Sequence, residues 1–237
     1  MRSALGPALA VVLLATPVHA APSPVVVIDP GHDQYANLAT EQIGPGSSTL
    51  KIKDGGGTRG VGTGLPESVL DLRVALRLRP LLQRAGVRVV MTRSETKGKS
   101  MGNIARAQIA NHAHAALFLR VHADGSPSSS GRGTHTLYPA FHRGWTDDIY
   151  TASLRAARVV QQEEVRALGF PDAGLQPRSD YTGFNWANVP AILVEMGFMT
   201  NPTEDRLLAT SAYEQRAAVG LCRGTLRFLG RSIRSCG

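Results

Sequence analysis

Short apolar runs punctuate the chain, and between them the apolar positions recur with helical spacing. Strands are read at Val25 to Ile28, Val87 to Thr92, Leu117 to Val121, Thr134 to Tyr138 and Ala191 to Val194. Near-continuous runs such as Val25 to Ile28 and Ala191 to Val194 predict strands buried on both faces of a sheet. Helical spacing predicts helices over Pro66 to Ala85, Asn103 to Ala113, Asp147 to Leu168 and Ser211 to Phe228. The first has Pro66 in its opening turn and Gly86 just past its end, the expected asymmetry of helix boundaries. Its apolar positions, among them Leu70, Val74, Leu78 and Leu81, should pack on the sheet, with Arg73, Arg77 and Arg84 turned to solvent. Strands alternating with helices imply a single α/β domain whose mostly parallel, twisted sheet is flanked by helices on both faces.

Two stretches break this rhythm. Residues 34–64 hold Gly-Pro-Gly-Ser-Ser at 44–48 and Asp54-Gly-Gly-Gly57 around an alternating Leu50-Lys-Ile-Lys53 piece, which predicts a hairpin-like insertion. Residues 125–133 form a second polar loop. The first twenty residues join a basic start, Met1-Arg2, to an apolar stretch and then Val18-His19-Ala20. That order predicts a cleavable secretory signal over residues 1–20, and a domain over 21–237. No Cys stands at the cleavage position to carry a lipid, so no stable membrane insertion is expected afterwards.

Composition narrows the partners. The net charge is +8, carried by twenty-two Arg and four Lys dispersed along the chain. Such a field favours an acidic polymer or surface. There is no basic-aromatic stacking motif, and export from the cytoplasm also disfavours nucleic acid. Cys222 and Cys236 suit a disulfide in an oxidising compartment, clipping the tail to the last helix. A monomer is the default expectation.

The chemistry gathers at the ends of the apolar runs. His32 follows Asp29-Pro30-Gly31, His122 ends the run from Leu117, and Glu195 ends the run from Ala191. Open α/β sheets hold ligands beyond the carboxyl ends of their strands, so these three side chains should meet in one crevice. Glu67 joins them from the first turn of the helix after Leu65-Pro66. Two His and a carboxylate form a catalytic zinc set with one open position, which argues for a metal hydrolase. His112, His114, His135 and His142 lack this placement and read as helix-end or surface residues. The same triad also serves iron oxygenases, but export without a redox partner, and a fourth carboxylate at a strand end, fit them poorly. The helix-borne His-Glu-x-x-His motif of many zinc peptidases is absent.

Several stretches together resemble the zinc-dependent N-acetylmuramoyl-L-alanine amidases of the Amidase_3 family, bacterial cell-wall hydrolases. They are Ile28-Asp-Pro-Gly-His32, Gly64-Leu-Pro-Glu67, Thr92-Arg93, Arg106 with Ala110-Asn111, Val121-His-Ala123, and Pro190 to Pro202 around Glu195. The resemblance implies a sheet of about six strands, zinc held by His32, Glu67 and His122, and Glu195 as the catalytic acid/base. It implies cleavage of the amide between the lactyl group of N-acetylmuramic acid and L-alanine of the stem peptide, on peptidoglycan or muropeptide fragments in the extracytoplasmic, cell-wall space. Arg178 and Asn185, in the stretch before the last run, are candidate substrate contacts. Three departures stand out: Ser68 where the family often has Lys, a longer segment between the first two ligands, and Asp124 where Asn is frequent. The alternatives are a zinc peptidase cutting elsewhere in the stem peptide and an inactive, amidase-like peptidoglycan-binding protein.

Overall fold

The structure, a computed structural model, describes residues 22–98 and 100–237. The signal expected over residues 1–20 lies outside them. Six strands form the main sheet: β1 (Val25–Pro30), β4 (Arg88–Met91), β5 (Leu117–Asp124), β6 (Thr134–Pro139), β7 (Asp172–Arg178) and β8 (Ala191–Phe198), in spatial order β4-β1-β5-β8-β6-β7. All neighbours are parallel except β6 and β8. The remaining strands, β2 (Asn37–Gln42) and β3 (Leu50–Asp54), pair antiparallel as a separate hairpin inside the expected insertion.

Side-chain alternation along the strands decides what each face carries. Val26 and Ile28 of β1, Leu117 and Leu119 of β5, and Ile192 and Val194 of β8 share a buried cluster with α1 (Glu67–Arg84), α3 (Tyr150–Leu168) and α6 (Ser211–Phe228). The opposite parity, Val27, Phe118 and Leu193, packs with Ala107 and Ala110 of α2 (Asn103–His112) and Phe184 of α4 (Thr182–Asn185). Towards the carboxyl ends of the strands this second face turns polar, with Asp29, Arg120, His122 and Glu195 in place of apolar side chains. The site therefore grows out of the sheet's own alternation.

Several elements depart from expectation. β5 and β8 continue three and four residues past their apolar runs, so His122 and Glu195 sit inside strands rather than just beyond them. The helix expected from Asp147 begins at Tyr150. Strand β7 and helix α5 (Pro202–Leu208) were not legible; β7 carries Gly174 and Pro177, residues a sheet tolerates at an edge. Arg77 does not face only solvent, since its guanidinium reaches Glu214 of α6 at 2.9 Å. His135 is a correction as well: it is 3% exposed on β6 and lies opposite Glu195, not on the surface.

The Cys222 and Cys236 sulfurs stand at bonding distance, 2.08 Å, and join α6 to the short C-terminal turn Arg234–Cys236. Both residues are buried in the cluster formed by α1 and α6. A link closing a loop of this length is worth about 3 kcal/mol in the chain-entropy treatment. Replacing both cysteines by Ser should therefore lower the melting temperature by roughly 6–12 °C for a domain of this size. Non-reducing mass analysis that finds two free thiols, or an unchanged melting temperature, would reject the link.

Candidate active site

The Asp29-Pro-Gly-His32 turn is shaped by close approach. Gly31 donates its N–H to the Val121 carbonyl at 2.9 Å, and a side chain on Gly31 would collide with the His122 ring and with the Asp71 carboxylate. His32 itself adopts φ 56°, a conformation that costs a non-glycine residue about 1–2 kcal/mol. The surroundings hold it there: Arg106 donates to the His32 carbonyl at 2.9 Å and Asp54 meets His32 Nδ1 at 2.5 Å.

Glu67 opens α1, and its two oxygens are used separately. Oε2 accepts the Thr58 N–H at 2.7 Å. Oε1 faces His32 Nε2 at 3.1 Å and His122 Nδ1 at 3.0 Å. Gly57 at φ +73° lets the chain pass this carboxylate, where any side chain would meet both Glu67 Oε2 and the His32 ring. One donor atom from each of His32, Glu67 and His122 lies within 4.8 Å of the others.

Charge is unevenly spread over this set. Burial would lower the proton affinity of His32, but Glu67 and Asp54 outweigh it and push its pKa up to about 10. For His122, burial wins over the Glu67 hydrogen bond, and the charge on His32 adds to it, so the pKa falls to about 4. Glu67, although buried, is held well below the usual carboxylate range by the two imidazoles. The set holds its one positive charge as a proton on His32, and a bound divalent cation would replace that proton and leave both imidazoles neutral as ligands. The donor set and its convergence fit zinc.

Glu195 is the register partner of His122 on the neighbouring parallel strand, so both side chains emerge on the same face. It is 7% exposed, and its Oε2 has no hydrogen-bond partner among the described residues. Burial, then the charges of Glu67 and Asp124, push its pKa well above the ordinary carboxylate value. A group in this setting accepts a proton readily.

Beneath the site, Asp29 is fully buried and receives Arg106 Nη1 at 2.6 Å, Arg120 Nε at 2.8 Å and Thr92 Oγ1 at 2.6 Å. The acidic residue of the first motif is therefore a structural anchor, and the Arg of the α2 motif is its counter-ion.

A cleft of about 600 Å³ opens over His32, Glu67, His122 and Glu195, walled by Lys51 to Asp54 of the hairpin and by Tyr181. Neither Arg178 nor Asn185 lines it. Arg178 is bound by Asp180 at 2.8 and 2.9 Å, and Asn185 donates to the carbonyls of Ile43 and Ser179, each at 3.0 Å. Asn185 seats the hairpin. Lys51, Asp54 and Tyr181 line the cleft but were not read as site residues; for Lys51 and Asp54 the alternation Lys51-Ile-Lys-Asp54 beside the proposed mouth was the available signal.

The family pattern Amidase_3, N-acetylmuramoyl-L-alanine amidase, matches residues 26–227. The chain is 36% identical over 224 residues to the N-acetylmuramoyl-L-alanine amidase Rv3717 of Mycobacterium tuberculosis, covering 91% of this chain and 90% of that protein. It is 28% identical over 218 residues to the germination-specific N-acetylmuramoyl-L-alanine amidase of Bacillus subtilis, 86% of this chain and 79% of that one. The crystal structure of the N-acetylmuramyl-L-alanine amidase Ami1 from Mycobacterium smegmatis superposes with a TM-score of 0.78 at 31% identity, covering 87% of this chain and 97% of Ami1. With the pattern spanning nearly all the described residues, and the fold and the convergent side chains in agreement, the chain belongs to the Amidase_3 family of N-acetylmuramoyl-L-alanine amidases.

Proposed function

We propose that the protein is a peptidoglycan hydrolase that cleaves the amide between the lactyl group of N-acetylmuramic acid and L-alanine, with His32, Glu67 and His122 as zinc ligands and Glu195 as the acid/base. The observation that carries this reading is the convergence of His32 Nε2 and His122 Nδ1 on one Glu67 oxygen, with Glu195 beside them on the next strand. Zinc held there would supply Lewis-acid polarisation of the scissile carbonyl and would acidify the attacking water.

The chain's own residues do the rest. Glu195, its Oε2 free, takes the proton from the attacking water and returns it to the departing L-alanine nitrogen. Thr58, through its N–H to Glu67 Oε2, keeps the other oxygen turned towards the imidazoles. Lys53 presents positive charge along the cleft wall, which suits the carboxylates of a stem peptide, whereas Lys51 is engaged by Asp180 at 3.3 Å. Action in the extracytoplasmic cell-wall space follows from that substrate and from the signal expected over residues 1–20. No helix among the described residues is long and apolar enough to cross a membrane.

The test is incubation of the zinc-loaded protein with N-acetylmuramoyl-L-alanyl-D-isoglutamine and with intact peptidoglycan, followed by mass spectrometry. Release of free N-acetylmuramic acid with the dipeptide, or of unsubstituted glycan strands, is expected. Stem peptides cut internally, with L-alanine still attached to the lactyl group, would convert the reading to a peptidase. Intact substrate in both assays would reject catalysis.

A further inference from the structure

We infer that Asp54, at the end of the inserted hairpin, is a positioning residue for the metal centre: it orients the His32 imidazole and makes the seating of the hairpin part of metal binding. The inference rests on the zinc reading above. A histidine ring can bind metal through either nitrogen, and the hydrogen bond made by the other nitrogen decides which one is presented. In His32, Nε2 faces Glu67 and Nδ1 meets Asp54 Oδ1 at 2.5 Å, across 22 residues of sequence. Asp54 therefore accepts from Nδ1–H and leaves the Nε2 lone pair directed at the centre, the carboxylate–histidine–metal arrangement that raises ligand basicity.

The backbone does not do this by itself. Arg106 holds the His32 carbonyl, which secures the positive-φ turn but does not itself set which ring nitrogen carries the proton. The carboxylate, by contrast, is fixed in place. Its side chain is 5% exposed, and Oδ1 also accepts the Gly56 N–H at 2.9 Å. The hairpin that carries it is tied to the start of α2 at several points: Glu41 accepts the Asn103 N–H at 2.7 Å, Asn103 Nδ2 donates to the Lys53 carbonyl at 2.6 Å, and Asn37 Nδ2 donates to the Ser100 carbonyl at 2.7 Å. A segment that looks in sequence like an optional insertion thus delivers a buried carboxylate to a ligand ring.

The experiment measures zinc affinity by competition against a chelating indicator for the full chain, for Asp54→Asn and for Asp54→Ala. Circular dichroism checks that each is folded. Loss of such an outer carboxylate weakens metal binding by about 10–100-fold, the effect expected for Asp54→Ala. Asp54→Asn should fall between, because its amide oxygen accepts the same hydrogen bond without the charge. If Asp54 served only the Gly56 turn, Asp54→Ala would melt earlier yet bind zinc as tightly when folded, and affinities within about twofold of the wild type would overturn the inference. Should Asp54→Ala fail to fold, Asp54→Asn and the imidazole ¹⁵N spectrum of the zinc-loaded wild type decide. A protonated Nδ1 on His32 is expected, and zinc at Nδ1 would overturn the inference. A wild-type chain that takes up no zinc would overturn the metal reading itself, and this inference with it.

Discussion

Glu195→Gln should bind zinc with unchanged affinity and turn over about 10²–10⁴-fold more slowly, the usual loss when a positioned general base is removed. The amide is nearly isosteric with the carboxylate, so packing in a site where Glu195 is 7% exposed is preserved. Glu195 is not among the three side chains whose donor atoms cluster, so the metal-binding set stays whole. What disappears is the acceptor for the water proton. The loss should therefore fall on kcat, with KM little altered. The wild-type rate should decline as pH falls, because Glu195 works in its ionised form and becomes protonated. The residual rate of Glu195→Gln should lack that acid limb. Mass-spectrometric release of N-acetylmuramic acid, measured alongside zinc content across pH, checks all of these points. A variant within about tenfold of the wild type would remove Glu195 from proton transfer.

The convergence of His32, His122 and Glu195 was readable because sheet and site share one physical pattern. β1, β5 and β8 are central strands buried on both faces, so they appear as nearly continuous apolar runs, and His32, His122 and Glu195 beyond those runs mark the crevice. Glu67 was readable through its place on the first turn of α1. Asp54 was not, because its role arises from packing of a hairpin against a turn 22 residues away, a contact that no local period encodes. Asn185 is the opposite case. A polar residue in a loop near the last strand resembles a substrate contact, yet its amide is spent on the carbonyls of Ile43 and Ser179. His135 hid in a strand whose polar side chains are paired inside the fold: Thr134 Oγ1 reaches the Glu195 carbonyl and Thr136 Oγ1 reaches Gln161, at 2.7 and 2.8 Å. Strand β7 lacked an apolar run because an edge needs only one neighbour, here β6.

Asp29→Ala should be the most destabilising single change near the site. Its carboxylate is fully buried between Arg106 and Arg120, whose side chains are 3% and 4% exposed. Burial by itself would raise its pKa, but the two guanidiniums and the Thr92 hydroxyl reverse that and hold it below the usual carboxylate range. Removing it leaves two buried cations without their anion, a change that costs about 3–5 kcal/mol. For a domain of this size the melting temperature should drop by roughly 6–20 °C. The loss also reaches the site, since Arg106 supports the His32 carbonyl and Arg120 Nη2 donates to Asn103 Oδ1 at 2.8 Å. The pH dependence follows from the depressed pKa. Stability contributed by ionised Asp29 is present above the unfolded-state value near 3.9 and is lost as pH falls through the lower folded-state value. The gap between wild type and Asp29→Ala should therefore be widest near neutrality and narrow only below about pH 4. Denaturant unfolding at several pH values measures it. A gap below about 1 kcal/mol at neutral pH would show that the two arginines find other partners or reach water, and that the acid of the first motif does not anchor the sheet.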